Sequence, residues 1–290
     1  MKVSPEKAGF DLTDQAGRRV HLAGVSRLVS LAPSNTELVY ALGAENYLCG
    51  VTEYCDYPPQ ARLKPKVGGY STVSIEAVRK AEPDLVLAAT IHLKEVVPLL
   101  AGLGYPVLVL EAGTIPGMLK AIALAGRVTG REAQAKELVS SLQKRVAMVT
   151  SRVDTLPPDK RPKVFYLHES QTWKTFGTKT IGDALTEMAG GYNIGRDFGD
   201  YYPYPSLDSI AKANPDIIIA ETGYGADPGE PLRIAQTEPA LATTAARRTG
   251  RVYGLASDLI SRAGPRLVDG LEALARIIHP ELFEGNIGPS

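Results

Sequence analysis

One stretch of this chain occurs twice. The run from Ser74 to Ala88 returns as Ser206 to Ala220, about 130 residues later and far beyond the period of a solenoid repeat. Both copies read the same way. A serine stands where a helix N-cap is expected, and an acid follows in the first turn, Glu76 and Asp208, where the helix dipole favours negative charge. Pro83-Asp84 and Pro215-Asp216 end each helix, because the residue before proline avoids the α region. An aliphatic run then predicts a strand buried on both faces.

The flanks match too. A tyrosine precedes each serine by four residues, Tyr70 and Tyr202. Beyond each strand a threonine is followed two residues on by a ring, Thr90 with His92 and Thr222 with Tyr224. Units of helix, Pro-Asp and strand recur by chance in α/β proteins, and the flanking matches weigh against that here. Two lobes built alike, each offering an acid, an aromatic and a loop after a strand, suggest a protein that holds something between them.

The rest of the chain alternates strand and helix, which predicts mainly parallel sheets with helices on their faces. Phe10 to Thr13 and Arg18 to Leu22 flank a glycine turn and predict a hairpin. Leu28 to Ala32 is a strand that stops at Pro33-Ser34-Asn35, with Ser34 or Asn35 expected to cap a helix. Strands follow at Leu48 to Glu53 and Val107 to Leu110, and helices at Lys94 to Leu103 and Ile115 to Val128. Ala135, Leu138, Val139, Leu142, Val146, Val149 and Val153 recur every three or four residues, so one long helix is expected from Arg131 to about Val153. Its place near mid-chain makes it a connector, with domains at 1–130, 131–155 and 156–290. The second lobe is expected to run from a strand at Val164 to Leu167, through a helix at Ile181 to Ala189, to the second repeat copy. A glycine-rich loop, a strand at Arg251 to Leu255 and a helix at Arg266 to Ile278 follow, with His279-Pro280 as its stop.

Charge and motif content narrow the function. There are 32 basic and 32 acidic residues, so no net field draws nucleic acid. Met1-Lys2 leads into Val3-Ser4-Pro5 and not into an apolar run, so a leader is expected to be absent from this sequence. Cys49 and Cys55 flank a stretch whose composition is extended, which places the thiols too far apart to pair. No phosphate loop, dinucleotide fingerprint, nucleophile elbow or HExxH is found. These absences disfavour an NTPase, a Rossmann dehydrogenase and an α/β-hydrolase.

Ligands of open α/β sheets sit beyond the carboxyl ends of the strands. The residues expected there are Pro33, Ser34, Asn35, Tyr54, Asp56, Tyr57, Tyr70, Thr90, His92, Glu111, His168, Trp173, Tyr202, Tyr224 and Asp258, with Arg262 as a candidate cation. Such aromatic and polar walls suit a large, flat, amphipathic ligand. No residue is expected to ligate a metal ion directly, although His92 or His168 can serve as an axial ligand to a metal already held in a chelate.

Leu28 to Leu38, Gly50 to Pro59 and Lys66 to Tyr70 resemble the N-terminal lobe of the extracytoplasmic substrate-binding proteins of cobalamin and ferric-siderophore ABC importers. The Pro-Asp–strand repeat and the segment from Ala256 to Arg266 are similar to that family as well. The resemblance implies an α/β fold of two Rossmann-like lobes joined by a single long helix, a class III periplasmic binding protein with its ligand in the interlobe cleft. It implies a monomer outside the cytoplasmic membrane, periplasmic or lipid-anchored, with no enzymatic activity and no cofactor. Its partners would be a small-molecule metal chelate and a permease dimer with its ATPase. In the family one acid on each lobe pairs with permease arginines, and these positions map to Glu76 and Asp208. Tyr54-Cys55-Asp56-Tyr57-Pro58-Pro59 and Tyr70 look most like the cobalamin branch. The expected ligand is therefore a corrinoid, cobalamin, with a ferric siderophore or haem as the same-class alternative and a bilobal tetrapyrrole metal chelatase as the rival of another class.

Overall fold

The structure, a computed structural model, describes residues 9–157, 160–223 and 227–283. Of the expected site residues, Tyr224 alone lies outside them. The chain forms two compact units that divide between Ser141 and Leu142.

Unit 1 opens with the expected antiparallel hairpin, β1 (Phe10–Thr13) and β2 (Arg19–Leu22). Its turn is tied to the sheet by Asp14, whose buried carboxylate accepts the Ala16 and Arg18 N–H groups and, at 3.1 Å, that of Val109. The main sheet runs β3 (Leu28–Ser30), β4 (Leu48–Val51), β5 (Leu85–Ala88) and β6 (Val107–Val109), all parallel, in the order β4-β3-β5-β6. Every residue of β3, β5 and β6 is buried, as the unbroken aliphatic runs require of strands covered on both faces. The covering helices are α1 (Pro33–Ala41), α2 (Ile75–Lys80), α3 (Val96–Gly102) and α4 (Ile115–Thr129). Gly130, at φ +66°, ends α4 in the left-handed conformation that a residue with a Cβ resists.

Next comes α5 (Glu132–Val153), about 33 Å long at 1.5 Å per residue. Its early turns bury Ala135 in unit 1, and its later turns bury Leu142, Val149 and Val153 in unit 2. There the Arg145 guanidinium spans Glu272, at 2.8 Å on both oxygens, and Asp269, at 2.6 Å.

Unit 2 repeats the topology. Its strands are β7 (Lys163–Leu167), β8 (Tyr192–Asn193), β9 (Ile217–Thr222) and β10 (Val252–Ala256), in the order β8-β7-β9-β10 and again all parallel. In each unit the second strand lies outside the first, and the third and fourth lie on the other side. Its helices are α6 (Ile181–Met188), α7 (Leu207–Ala213), α8 (Glu230–Thr237), α9 (Ala245–Arg248), α10 (Asp258–Ser261), α11 (Leu267–Ile278) and α12 (Pro280–Phe283). The repeat copies form α2 with β5 and α7 with β9. Ser74 and Ser206 each cap a helix by accepting a backbone N–H three residues on, at 3.2 Å.

Several expectations are corrected. Neither Ser34 nor Asn35 caps α1. Ala32 is the N-cap, and Pro33 starts the helix, since its missing N–H costs nothing in the first turn. The expected glycine-rich loop after β9 contains α8, whose Leu232, Ile234 and Ala235 pack on the unit 2 core. A helix of two turns that begins Glu-Pro shows too little periodicity to declare itself. Pro280 does stop α11, but it also begins α12.

Candidate functional site

In unit 1 the carboxyl ends of β3 and β5 lie side by side at the point where strand order reverses. Pro33 and Ser34 follow β3 there, half-buried, and Thr90 follows β5, exposed. The first turn of α1 carries no side-chain cap. Asn35 is fully buried, and its amide donates to the Ala88 carbonyl at 3.1 Å, tying α1 to the end of β5. That bond gives its side chain a scaffold role at the strand end.

The aromatic wall of this unit rests on two anchors. Cys55 is buried with its sulfur 3.1 Å from the Thr36 and Thr52 hydroxyls, and it is a free thiol, as is Cys49. With Cys55 turned inward, Tyr54 is left 56% exposed and Tyr57 43% exposed, with Asp56 half-buried between them. The second anchor is His92. Its Nδ1 accepts the Ala89 N–H at 2.9 Å, so Nε2 carries the proton and donates to the Tyr70 carbonyl at 2.7 Å. The Tyr70 ring meets the imidazole edge-on at 5.5 Å. A side chain added at Gly69 would meet the Tyr54 ring at 3.7 Å, so Tyr54 and Tyr70 share one patch. Both His92 nitrogens are committed inside the protein, which rules it out as an axial ligand in this structure.

Burial lowers the His92 pKa from its ordinary value, against the opposing pull of its two backbone hydrogen bonds. A histidine with a depressed folded pKa contributes stability that is present above the unfolded value of about 6.5 and lost as pH falls from there through the lower folded value. The protein is therefore expected to lose stability as pH falls below about 6.5, and His92→Gln, which does not titrate, to lose less of it in urea denaturation. Equal losses in the two proteins would show that this imidazole is not the group responsible.

In unit 2 the equivalent strand ends carry His168, just after β7, and Glu221, near the end of β9. Glu221 is only 5% exposed, and burial pushes its carboxyl pKa up while the bond to His168 pulls it back. His168 Nδ1 lies 2.9 Å from Glu221 Oε1, and the Ser261 hydroxyl donates to Oε2 at 3.2 Å. With Glu221 ionised, Nδ1–H donates and the Nε2 lone pair faces away from the carboxylate. The imidazole is flanked by Tyr202, stacked at 5.5 Å and 29°, and by Phe176 at 5.2 Å. Lys174 Nζ sits 5.3 Å from the Tyr202 ring and 5.8 Å from that of Tyr204. The result is an aromatic face with one cation and one oriented imidazole.

The other expected residues of this unit are placed differently. Trp173 is half-buried against the unit 2 core, in a left-handed conformation at φ +56°. Arg262 Nε pairs with Asp258 Oδ1 at 2.8 Å, and Arg266 reaches Asp258 Oδ2 at 3.4 Å, so the two expected polar groups are engaged with each other. Sequence reasoning missed Glu221, Phe176 and Lys174. One signal was present for Glu221, an acid closing the aliphatic run where the first copy has Ala89.

Glu76 and Asp208 are both exposed in the first turns of their helices, and neither forms an ion pair with a described residue. No helix among the described residues is long and apolar enough to cross a membrane, and these residues hold no cluster of three or more His, Cys, Asp or Glu side chains able to bind a metal ion.

Residues 28–259 match the family model described as periplasmic binding protein. A cobalamin-binding protein of Halobacterium salinarum is 32% identical, over 87% of this chain and 69% of that one. An uncharacterized ABC transporter substrate-binding lipoprotein of Bacillus subtilis, YvrC, is 30% identical, over 89% of this chain and 81% of that one. Among solved structures, a periplasmic heme binding protein from Pseudomonas aeruginosa superposes with a TM-score of 0.76 at 26% identity, covering 88% of this chain and 93% of that one.

Proposed function

Because this chain belongs to the periplasmic binding protein family, we propose that it captures a corrinoid, cobalamin, outside the cytoplasmic membrane and hands it to the permease of an ABC importer. It does so without turnover and with no resident cofactor. The observation that carries the reading is the pair of topologically identical units, each with tyrosines at the carboxyl ends of its parallel strands. Rigid aromatic faces bury a large macrocycle at low entropic cost, and preformed ones limit the ordering that binding must oppose. The relative named as cobalamin-binding supports a corrinoid over other chelates. A siderophore carrying several negative charges would call for more cations than these faces present, where Lys174 stands with the tyrosines and Arg262 is held by Asp258.

Glu76 and Asp208 are the docking acids of this reading. Each is exposed, each sits on a serine-capped helix, and each is free to meet an arginine fork, the geometry in which carboxylates pair most strongly.

Titration with cobalamin tests the proposal, followed by corrin absorbance and by the fluorescence of Trp173, the single tryptophan. One-to-one binding at micromolar concentration or below is expected. Absence of cobalamin binding, with haem or a ferric siderophore binding instead, would overturn it. The haem-binding structural neighbour makes haem the first alternative to try.

A further inference from the structure

We propose that His168 supplies an axial nitrogen to the metal of the bound chelate, and that the chain therefore favours a cobalt corrinoid whose own lower base is absent or displaced. The inference rests on the corrinoid reading above and assigns a residue and a ligand class within it.

Comparison of the two units carries the argument. By register Leu28 pairs with Leu85, and Val164 pairs with Ile217. His168 and Glu221 thus stand in unit 2 where unit 1 has Ala32 and Ala89. Unit 1 shows that this topology closes its central strand ends with two alanines. Unit 2 instead places a carboxylate there at 5% exposure, a group that is costly to desolvate unless it is paired. The fold does not require that pair, so its reason is to be sought in what the imidazole does.

The geometry points to ligation. Glu221 holds Nδ1, Ser261 holds Glu221, and Tyr202 and Phe176 fix the ring plane. This is how proteins set the tautomer and raise the basicity of a metal-binding histidine. Nε2 makes no hydrogen bond to a described residue and is not among the buried unpartnered atoms, so it opens to solvent. His92, with both nitrogens used, offers the contrast. A bare cation would find too few ligands among the described residues. A metal whose four equatorial positions are filled by a macrocycle needs only one. In the step itself the Nε2 lone pair forms the bond to cobalt and the axial water leaves. The proton stays on Nδ1, donated to Glu221, and no oxidation state changes.

The probe is cobinamide, a corrin without the lower nucleotide base, in a buffer that does not coordinate cobalt. Binding is followed by protein fluorescence, and the complex is then reduced to Co(II) for EPR. The expected spectrum shows threefold superhyperfine splitting from one nitrogen. His168→Ala is expected to lose that splitting and to regain it with added imidazole. Glu221→Ala is expected to weaken cobinamide binding on the order of ten- to a hundredfold. Cobinamide bound by the unaltered protein without nitrogen splitting overturns the inference and leaves the corrinoid reading standing. Splitting that persists in His168→Ala also overturns it. Failure to bind either cobinamide or cobalamin removes the corrinoid reading as well.

Discussion

Glu76→Ala combined with Asp208→Ala is expected to bind ligand as tightly as the unaltered protein and to give no stimulation of the transporter ATPase. The first half follows from placement. Both carboxylates are exposed, neither pairs with a described residue, and both lie on helices whose serine caps remain. Their share in fold stability is the helix-dipole contribution of about 0.3–1 kcal/mol each, too small to unfold either unit. The second half follows from what an exposed acid can do for a partner. A bidentate arginine–carboxylate pair adds geometric specificity as well as energy, and loss of both anchors leaves the partner's cations unpaired at the interface. Stimulation retained in the double variant, measured with the importer in proteoliposomes, would take the docking role from these residues. Asp208 is one methylene shorter than Glu76, so the single variants are expected to be unequal, with Glu76→Ala the more damaging.

The second large effect concerns the backbone beneath the unit 2 face. Gly177→Ala is expected to lower stability by about 3 kcal/mol and to abolish ligand binding. The Gly177 N–H donates to the Tyr201 carbonyl at 2.7 Å, Thr178 N–H to that of Gly199 at 3.1 Å, and Tyr201 N–H to that of Thr178 at 2.7 Å. These bonds lace the segment after Phe176 to the loop that presents Tyr201, Tyr202 and Tyr204. A Cβ on Gly177 would lie 2.0 Å from the Gly199 carbonyl oxygen and 2.9 Å from Pro203 Cδ. Both are backbone or ring atoms, so neither can swing aside, and the laced pair must part. Tyr202 would leave His168, and Lys174 would lose its two rings. Gly102→Ala makes the control, because a Cβ at that helical position meets nothing within 4 Å. It is expected to raise stability by about 0.4–1 kcal/mol by narrowing the unfolded ensemble. Equal urea midpoints for Gly177→Ala and the unaltered protein would show that the loop adjusts freely.

Much of this molecule could be read from its residues in order. Aliphatic runs marked the strands because strands covered on both faces must be apolar throughout, as β3, β5 and β6 are. Ser74 and Ser206 marked helix starts because capping is local chemistry between residues three apart. The duplication foretold two similar units, and the sheets repeat one strand order. Glu76 and Asp208 were legible for the same reason, since an acid in the first turn of a capped helix has its direction set within that turn.

The long-range pairings were not legible. His168 and Glu221 are 53 residues apart, and they meet only because β7, which carries β8 on one edge, pairs with the distant β9 on the other. In sequence, His92 and His168 looked like equals. Backbone groups at Ala89 and Tyr70 then consumed both nitrogens of one, while a buried carboxylate oriented the other and left its Nε2 open. Sequence by itself determined the two α/β units, their matching topology and the first-turn acids Glu76 and Asp208, because short-range propensity and hydrophobic pattern decide those. Only the tertiary structure decided which imidazole faces outward, because a side chain's hydrogen-bond partners are set by strands that come together across the fold.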